Sequence, residues 1–513
     1  MKKSISKAIS MVMIITLACR VLALISNQFY MSYFGASDIE LNIYSYAISV
    51  PNAIFNSVGT AISTVIIPIY ATLIVEKKNE EANLFASNVL TIFGSIIIFL
   101  VIIGMCLAPV LPKFTDFNTG KNYEFAVKSL IIIMPVMLFY GVSYVFQGVL
   151  QSLGSFYAVA AVSLPSSCVI IVYLLLFAED FGVIGLLWTT FVGLMLQALI
   201  LIPPAIKKGF RFTLCYDRKN PYVKQAFSLI GPIILGSGAF QINMFYNVTL
   251  TANFDNMVTL LTFIQNLVLN TVLAIVYSVT AVLYPKMTAE LAEKKEENYK
   301  ITLTEGMDFF IFLFLPATIG IISVRTELLS LISGYGKITE KDINTAGIFL
   351  ALYSMAFVSI ALKELLDRAF FAAKQTRIPA LCGFITVITN VIFSQIFIRY
   401  IGVYGIPLSY TVSSFCAMLF LLYNMRRKIG RFGKKSAKNL ITSVFSTVLM
   451  GVFVHFAIEI IPSFDGIIGR IINLGIPVMT GMTVYFIVAL LLKNPVILYA
   501  VKNLNIKRKV LER

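Results

Sequence analysis

The chain has 513 residues, of which 58% are hydrophobic and only 13% are charged, and its mean hydropathy is +0.87. Soluble domains are roughly one quarter charged, so this composition excludes a water-soluble enzyme and predicts a polytopic membrane protein. Lys and Arg outnumber Asp and Glu by 41 to 25, which in a soluble protein would suggest a nucleic-acid partner. The six cysteines are scattered without CxxC or metal-ligand spacing, and we interpret them as core residues.

Apolar stretches of about 20 residues, each long enough to cross the hydrocarbon core as a helix, follow one another along the chain. The first begins after three lysines and continues past Arg20 without a small-residue cleavage site, which indicates an uncleaved span rather than a signal peptide. The predicted fold class is therefore all-α. The fourteen predicted spans cover residues 8–33, 41–74, 84–112, 125–150, 157–178, 182–205, 225–250, 257–284, 303–333, 345–373, 378–400, 402–425, 439–461 and 468–492.

Basic residues are concentrated in alternate loops. An even number of spans places both termini on one side of the membrane, and the positive-inside rule chooses that side. The basic side would hold the N-terminal lysines, the loops near residues 77, 207–219, 294, 374 and 426–435, and the C-terminal tail, whereas loops such as Glu179-Asp180 are acidic. We therefore expect both termini in the cytoplasm. The charge excess is then mainly a topology signal, and no nucleic-acid partner is expected.

The chain contains an internal repeat. The segment from Pro68 to Lys78 matches that from Pro285 to Lys295 at an offset of 217, and Phe181-Gly182-Val183-Ile184-Gly185 matches Ile401-Gly402-Val403-Tyr404-Gly405 at an offset of 220. The matches follow spans 2 and 8 and open spans 6 and 12, which predicts two six-helix lobes related by a pseudo-twofold axis along the membrane normal. We expect an N-lobe over residues 1–224, a C-lobe over 225–437, and spans 13 and 14 with a basic tail over 438–513. Coincidental matching of Gly and Pro remains the alternative.

Polar side chains collect in the first two spans of each predicted lobe. A cleft between two lobes would need such residues, which lipid-facing helices reject. The alternative is that the amides join helices to one another by hydrogen bonds. Asn52 with Asn56, and Asn266 with Asn270, are four residues apart and so share a helix face. The candidate substrate-binding amides are Asn27, Asn52, Asn56, Gln241, Asn266 and Asn270.

Two candidate sites carry charge inside predicted spans. Arg20 lies roughly 18 Å along span 1, near the bilayer middle, and would bind either an anionic phosphate or a structural carbonyl or carboxylate. Span 10 contains Lys363-Glu364-Leu365-Leu366-Asp367-Arg368. The spacing predicts two ion pairs, Lys363 with Asp367 and Glu364 with Arg368, and direct contact of Arg368 with substrate is the alternative.

The sequence contains neither GxxxxGK[ST] nor HExxH, and its loops leave no room for an ATPase domain. We therefore expect no enzymatic activity, no cofactor and no bound metal. Spans 7, 11 and 12 contain no carboxylate, so a cation site built from Asp or Glu is not expected there. The protein moves a substrate or acts as a scaffold.

Several stretches resemble the MurJ (MviN) lipid II flippases of the multidrug/oligosaccharidyl-lipid/polysaccharide (MOP) exporter superfamily. They include Arg20-Val21-Leu22, Val50-Pro51-Asn52, Leu283-Tyr284-Pro285 and, most specifically, the run from Asp367-Arg368-Ala369-Phe370-Phe371 to Pro379. The resemblance covers nearly the whole chain. It implies two lobes around a central cavity, a groove formed by two extra helices, and outward movement of an undecaprenyl-pyrophosphate-linked glycan in peptidoglycan biosynthesis. It also implies lipid-linked glycan and bilayer as partners, with cell-wall synthesis enzymes as further partners, and we expect a monomer.

The chain departs from this family pattern at several cavity positions. Of the family's cavity arginines only Arg20 is present, and the other positions fall at Ser26, Phe55, Asn56 and Asn266. We expect alternating access by rocking of the two lobes. Alternative functions are a Wzx-like flippase for another lipid-linked polysaccharide unit, a MATE-type antiporter, for which spans 1, 2, 7 and 8 lack a central carboxylate, and a non-transporting scaffold derived from a flippase.

Overall fold

A computed structural model describes residues 2–254, 256–430, 433–460, 464 and 466–499 of the chain. Arg431 and the basic tail with Lys507, Arg508 and Lys509 lie outside these ranges. A few helical side chains, including that of Asn56, are also outside the described part. Within the described ranges all regular secondary structure is helical, which confirms the predicted all-α fold class.

The described secondary structure comprises nineteen α-helices, two short 3-10 turns at Leu111–Phe114 and Gly402–Tyr404, and helical residues 495–499. The α-helices are α1 (Lys2–Phe34), α2 (Ile39–Val75), α3 (Asn79–Leu107), α4 (Gly120–Ile133), α5 (Val136–Ser152), α6 (Phe156–Ala160), α7 (Leu164–Leu176), α8 (Ala178–Leu199), α9 (Ile202–Lys207), α10 (Pro221–Thr251), α11 (Val258–Ala292), α12 (Glu296–Ser323), α13 (Arg325–Ser333), α14 (Glu340–Ser354), α15 (Phe357–Ala372), α16 (Arg377–Ile401), α17 (Gly405–Ile429), α18 (Lys434–Ile460) and α19 (Gly466–Leu491).

Each predicted span overlaps one of these helices or a consecutive pair of them. By length and composition, ten helices of the described residues can cross a membrane, or eleven if α14 and α15, which meet at a bend of 41°, form one broken span. Residues 377–429 pass this test as a single segment although the turn at Gly402 separates α16 from α17. The polytopic architecture is thus confirmed, and the count of fourteen spans stays a prediction.

The chain divides into two compact units, Met1–Thr262 with Gly336–Ile338, and Phe263–Tyr335 with Thr339–Arg513. In the first unit α2 packs against α5 and α10, and α1 packs against α7. In the second unit α12 packs against α15 and α18, and α18 pairs with α19. The division falls inside α11, and α10 packs within the first unit. The lobe boundaries predicted at residues 224 and 437 remain a proposal.

Equivalent positions of the internal repeat have the same local backbone geometry. Lys77 and Lys294 have φ of 60° and 58°, and Gly182 and Gly402 have φ of 54° and 58°. Beside the first pair, Lys78 lies 2.9 Å from Glu76, and Lys295 lies 2.6 Å from Glu293. In both cases the hydrogen bond to the carboxylate raises the pKa of the lysine.

A third pair of equivalent turns has the same backbone geometry although the two sequences differ. Gly154 after α5 and Lys374 after α15, again 220 residues apart, have φ of 70° and 58°. At each turn the next residue donates its backbone N–H to a carbonyl five residues earlier, Ser155 to Leu150 and Gln375 to Phe370. Agreement of three turns at nearly one offset argues against coincidental matching of Gly and Pro.

Close packing of α7 on α8 depends on Gly193. A Cβ atom on this residue would lie 2.9 Å from both Cα and Cβ of Ser166, whereas a Cβ on Gly94 of α3 would meet no atom within 4 Å. We expect Gly193→Ala to lower the free energy of unfolding by about 1–3 kcal/mol, because the backbones must separate. Gly94→Ala is the control and should be neutral or slightly stabilising. Equal stability of the two variants in a detergent unfolding titration would contradict this packing account.

Candidate substrate-binding site

Arg20 of α1 faces a cavity in the first unit. The cavity has a volume of about 450 Å³ and is lined by α1, by Gln151 at the end of α5, and by the segment from Phe156 to Ser163. Cys19, next to Arg20, is buried and donates its Sγ–H to the carbonyl of Ala160 at 3.3 Å, which fixes α1 against this wall. The cavity size lies within the usual range for small-molecule sites.

The guanidinium of Arg20 is exposed, and no carboxylate of the described residues lies within 4.0 Å of it. It also makes no hydrogen bond within the described part of the chain. At the predicted position near the bilayer middle, such a cation would require compensation, since a central Arg costs about 3 kcal/mol on insertion scales. A structural carbonyl or carboxylate partner therefore has no support among the described residues, and the anionic ligand stays a prediction.

Asn27 lies seven residues after Arg20, which places the two side chains on the same side of α1 about 10 Å apart along the helix axis. Asn27 is half-buried, and its amide has no hydrogen-bond partner among the described residues. Ser26 is buried, and its hydroxyl donates to the carbonyl of Ala23 at 2.9 Å. One side of α1 thus presents a cation and an amide that are both free to bind a ligand.

Asn52 of α2 has a structural role. Its Oδ1 accepts a hydrogen bond of 2.8 Å from the hydroxyl of Tyr140 on α5, and it is half-buried. For this residue the helix-joining interpretation is therefore correct, although its amide nitrogen has no partner within the described part and can still donate. The side chain of Asn56, predicted to share this face, lies outside the described residues.

Polar residues of α10 occupy different environments. Gln241 is half-buried and has no hydrogen-bond partner among the described residues. Asn243 is 1% exposed, and neither its amide oxygen nor its nitrogen is bonded within the described part. A buried unpaired amide costs about 1–3 kcal/mol, so Asn243 is a site where ordered water is expected.

Asn266 and Asn270 of α11 are exposed, and neither amide bonds another described residue. Both lie on one side of the helix, which continues with the exposed positions Ala274 and Tyr277. The helix-joining interpretation therefore does not apply to either asparagine. Because lipid disfavours unpaired amides, this side of α11 is best explained by contact with water or a polar ligand.

The charged cluster of α15 is only partly as predicted. Lys363 Nζ lies 2.7 Å from Asp367 Oδ2, which confirms that ion pair. The predicted pair of Glu364 with Arg368 is wrong. Glu364 Oε1 instead lies 3.5 Å from Lys363, and Arg368 is half-buried without a carboxylate within 4.0 Å in the described residues. Lys363 therefore binds both acids, and the guanidinium of Arg368 is left available for a ligand.

Sequence analysis missed the neutral partners of these groups. Gln151 and Ser163 line the Arg20 cavity, and Tyr140 binds Asn52, yet no spacing pattern in the sequence links these residues to the site. It also missed a network in the second unit. There Asp308 of α12 accepts hydrogen bonds from Ser436 at 2.9 Å and Asn439 at 3.3 Å. Asn494 donates to Asn439 Oδ1 at 3.0 Å, which ties α18 and the chain after α19 to α12.

Comparison with known proteins identifies the family. The sequence matches the family model described as "Lipid II flippase MurJ" over residues 30–471, which is most of the chain. The chain belongs to the MurJ family. A relative from Rickettsia prowazekii named "Probable lipid II flippase MurJ" is 22% identical over 496 residues, covering 93% of this chain and 96% of the relative. The predicted resemblance to MurJ is thereby confirmed.

Solved structures agree with the MurJ assignment at the level of fold. The structure described as "Lipid II flippase MurJ, inward closed conformation" matches with a TM-score of 0.78 at 21% identity, covering 95% of this chain and 99% of that chain. An inward-facing MATE family transporter of the MOP superfamily matches with a TM-score of 0.69 at 16% identity, covering 81% of this chain and 98% of that one. The MurJ fold therefore extends over both units, including the helices α18 and α19 of the second unit.

Proposed function

We propose that this chain is a lipid II flippase, which moves an undecaprenyl-pyrophosphate-linked glycan from the cytoplasmic to the outer leaflet. Family membership carries this proposal, because a model of lipid II flippases matches most of the chain. Arg20 is exposed and bonds no other described residue, so its guanidinium can supply the chemistry that such a substrate requires, which is binding of phosphate through two parallel hydrogen bonds. The comparisons favour neither a Wzx-like exporter nor a scaffold.

The physical problem is the transfer of a sugar head group across about 30 Å of hydrocarbon. Each hydroxyl without a hydrogen-bond partner would cost about 4 kcal/mol or more in an apolar medium. Amides without a partner among the described residues can form those hydrogen bonds, and this group contains Asn27, Gln241, Asn266 and Asn270. The prenyl tail needs no such help, because it stays in the lipid.

The proposed roles divide by charge. Arg20 contacts the phosphate, the amides of Asn27, Asn52, Asn56, Gln241, Asn266 and Asn270 contact sugar or phosphate, and Arg368 is a second phosphate contact. Arg20 and Arg368 share the property that no described carboxylate neutralises them. Arginines that form no ion pair with a described carboxylate bind a doubly charged diphosphate better than neutral amides alone can.

The direction of transport is favourable without ATP. A cell-interior-negative potential drives negative charge outward, and each charge that crosses 100 mV gains about 2.3 kcal/mol. The internal repeat supports alternating access as the transport cycle. We further propose that the protein acts as a monomer in the cytoplasmic membrane, with both termini in the cytoplasm and with cell-wall synthesis enzymes as partners.

Complementation tests the proposed substrate. The gene would be expressed in a bacterium depleted of its own lipid II flippase, and we expect restored growth and cell shape, because lipid II again reaches the outer leaflet. Arg399→Ala is the control variant, since Arg399 is exposed near the end of α16 without a hydrogen bond or ion pair in the described residues. It should rescue as well as wild type. Absence of rescue, with the protein present in the membrane at normal amounts, would contradict the proposal and favour another lipid-linked glycan.

A further inference from the structure

The linker between α9 and α10 is an extended segment bound to α3. Asn83 of α3 donates to the carbonyl of Gly209 at 3.2 Å, and Ser87 Oγ accepts from the backbone N–H of Thr213 at 3.2 Å. Asn88 binds both backbone groups of Asp217, at 2.6 Å and 3.0 Å. Ser87 and Asn88 are buried, at 0% and 1% exposure. These side chains hold the linker in one register on the first unit.

The register exposes one apolar row. In an extended chain the side chains alternate between two faces, so Phe212, Leu214 and Tyr216 lie on the same face. They are 53%, 78% and 54% exposed, respectively. Contact with α3 is made by backbone groups of residues 209, 213 and 217 and not by the three apolar side chains. No element in the described part of the chain covers these side chains, as their exposure shows.

The same segment is strongly basic. Between residues 207 and 219 there are five basic residues and one acidic residue, and all six are exposed. Arg218 lies 5.1 Å from the centre of the Tyr216 ring and also donates a hydrogen bond to its hydroxyl. Aromatic side chains flanked by Lys and Arg are the composition of protein segments at the boundary between lipid and water.

The position of the linker agrees with that composition. It joins the end of α9 at Lys207 to the start of α10 at Pro221. Because a loop between consecutive spans lies at one membrane surface, the predicted spans on either side of it place the linker at such a surface. Phe212, Leu214 and Tyr216 are therefore within reach of the hydrocarbon boundary, and the basic residues are within reach of lipid phosphates. By the predicted orientation this is the cytoplasmic leaflet, whose anionic lipids attract basic segments.

We propose that residues 208–219 form an interfacial anchor, in which Phe212, Leu214 and Tyr216 insert into the leaflet while the basic side chains bind anionic lipid headgroups. The anchor positions the first turns of α10 relative to α3 at the membrane surface. This inference concerns lipid binding by the linker, so it holds or fails independently of the proposed transport substrate.

A single tryptophan probe tests the anchor. Trp188 is the sole tryptophan in the sequence, so a Trp188→Phe background leaves only the introduced probe. Leu214→Trp and the matched control Thr213→Trp would be compared in two nanodisc preparations, one that contains phosphatidylglycerol and one in which phosphatidylcholine replaces it. Brominated lipid chains would serve as quenchers in both. We expect blue-shifted emission and several-fold stronger quenching for Leu214→Trp than for Thr213→Trp. We also expect this quenching to weaken when phosphatidylcholine replaces phosphatidylglycerol.

Three results would overturn the anchor. Red-shifted emission and weak quenching of both probes would show that the apolar row is in water, where it is available to a protein partner, and strong, equal quenching of both would contradict insertion of one face. Equal quenching of the Leu214→Trp probe in the two lipid compositions would show that the basic side chains do not bind anionic headgroups, which contradicts the proposed anchor. The full-length protein is used throughout, and neither substituted position lies among the proposed substrate contacts.

Discussion

Substitution of Arg20 by alanine is expected to reduce lipid II flipping at least tenfold while leaving the protein folded. A hydrogen bond to a charged group contributes about 1.5–3 kcal/mol, and each 1.4 kcal/mol corresponds to a factor of ten. The fold should tolerate the change, because the guanidinium is exposed and bonds no described residue. Flipping rates in reconstituted vesicles, together with binding of lipid II to the purified protein, measure the effect.

Two further variants separate charge from geometry. Arg20→Lys keeps the charge but loses the planar fork, so its rate should lie between those of wild type and Arg20→Ala. Arg399→Ala removes one exposed arginine elsewhere and should flip at the wild-type rate. Wild-type binding and flipping by Arg20→Ala would show that Arg20 does not contact the phosphate.

Substitution of Lys363 by methionine is expected to give the largest loss of stability. Lys363 binds Asp367 at 2.7 Å and Glu364 at 3.5 Å, so its removal leaves two carboxylates without a cation in a largely apolar helix. Removing one partner of a buried pair costs about 3–5 kcal/mol, and the 24% exposure of the Lys363 side chain places the effect near the lower value. Denaturant unfolding in detergent micelles measures it.

The matched control is Lys286→Met. Lys286 lies 3.9 Å from Glu290 but its side chain is 55% exposed, so this pair should contribute at most about 1 kcal/mol. The double variant Lys363→Met with Asp367→Asn should recover part of the loss, because one uncompensated charge is removed as well. If Lys363→Met and Lys286→Met cost the same, the α15 cluster is solvated rather than held by its internal ion pairs.

The architecture was predictable because a bilayer permits few alternatives. Every backbone polar group in hydrocarbon must be bonded within its own segment, so long apolar stretches must be helical. The same argument does not show where a span breaks. Pro135 separates α4 from α5, and α14 meets α15 at 41°, although the apolar pattern continues across both positions. Hydropathy averages over such breaks, which depend on local backbone geometry.

The candidate site was predictable in its residue types but not in its pairing. Spacing of four residues permits an ion pair of Glu364 with Arg368, but the neighbouring Lys363 binds Glu364 instead. Asparagines that look alike in sequence also differ in the structure. Asn52 is bonded to Tyr140, whereas Asn266 and Asn270 are exposed and bond no other residue that the structure describes. Which amide joins helices depends on a tyrosine 88 residues away, and no local pattern encodes that contact.

Transport of lipid II by the purified protein tests the central claim most directly. Fluorescent lipid II would be placed in both leaflets of vesicles that contain this chain, and a membrane-impermeant quencher would be added outside. The account predicts that label from the inner leaflet becomes accessible over time, and more slowly with Arg20→Ala. If the inner label stays as protected as it is in vesicles without protein, the chain does not move lipid II.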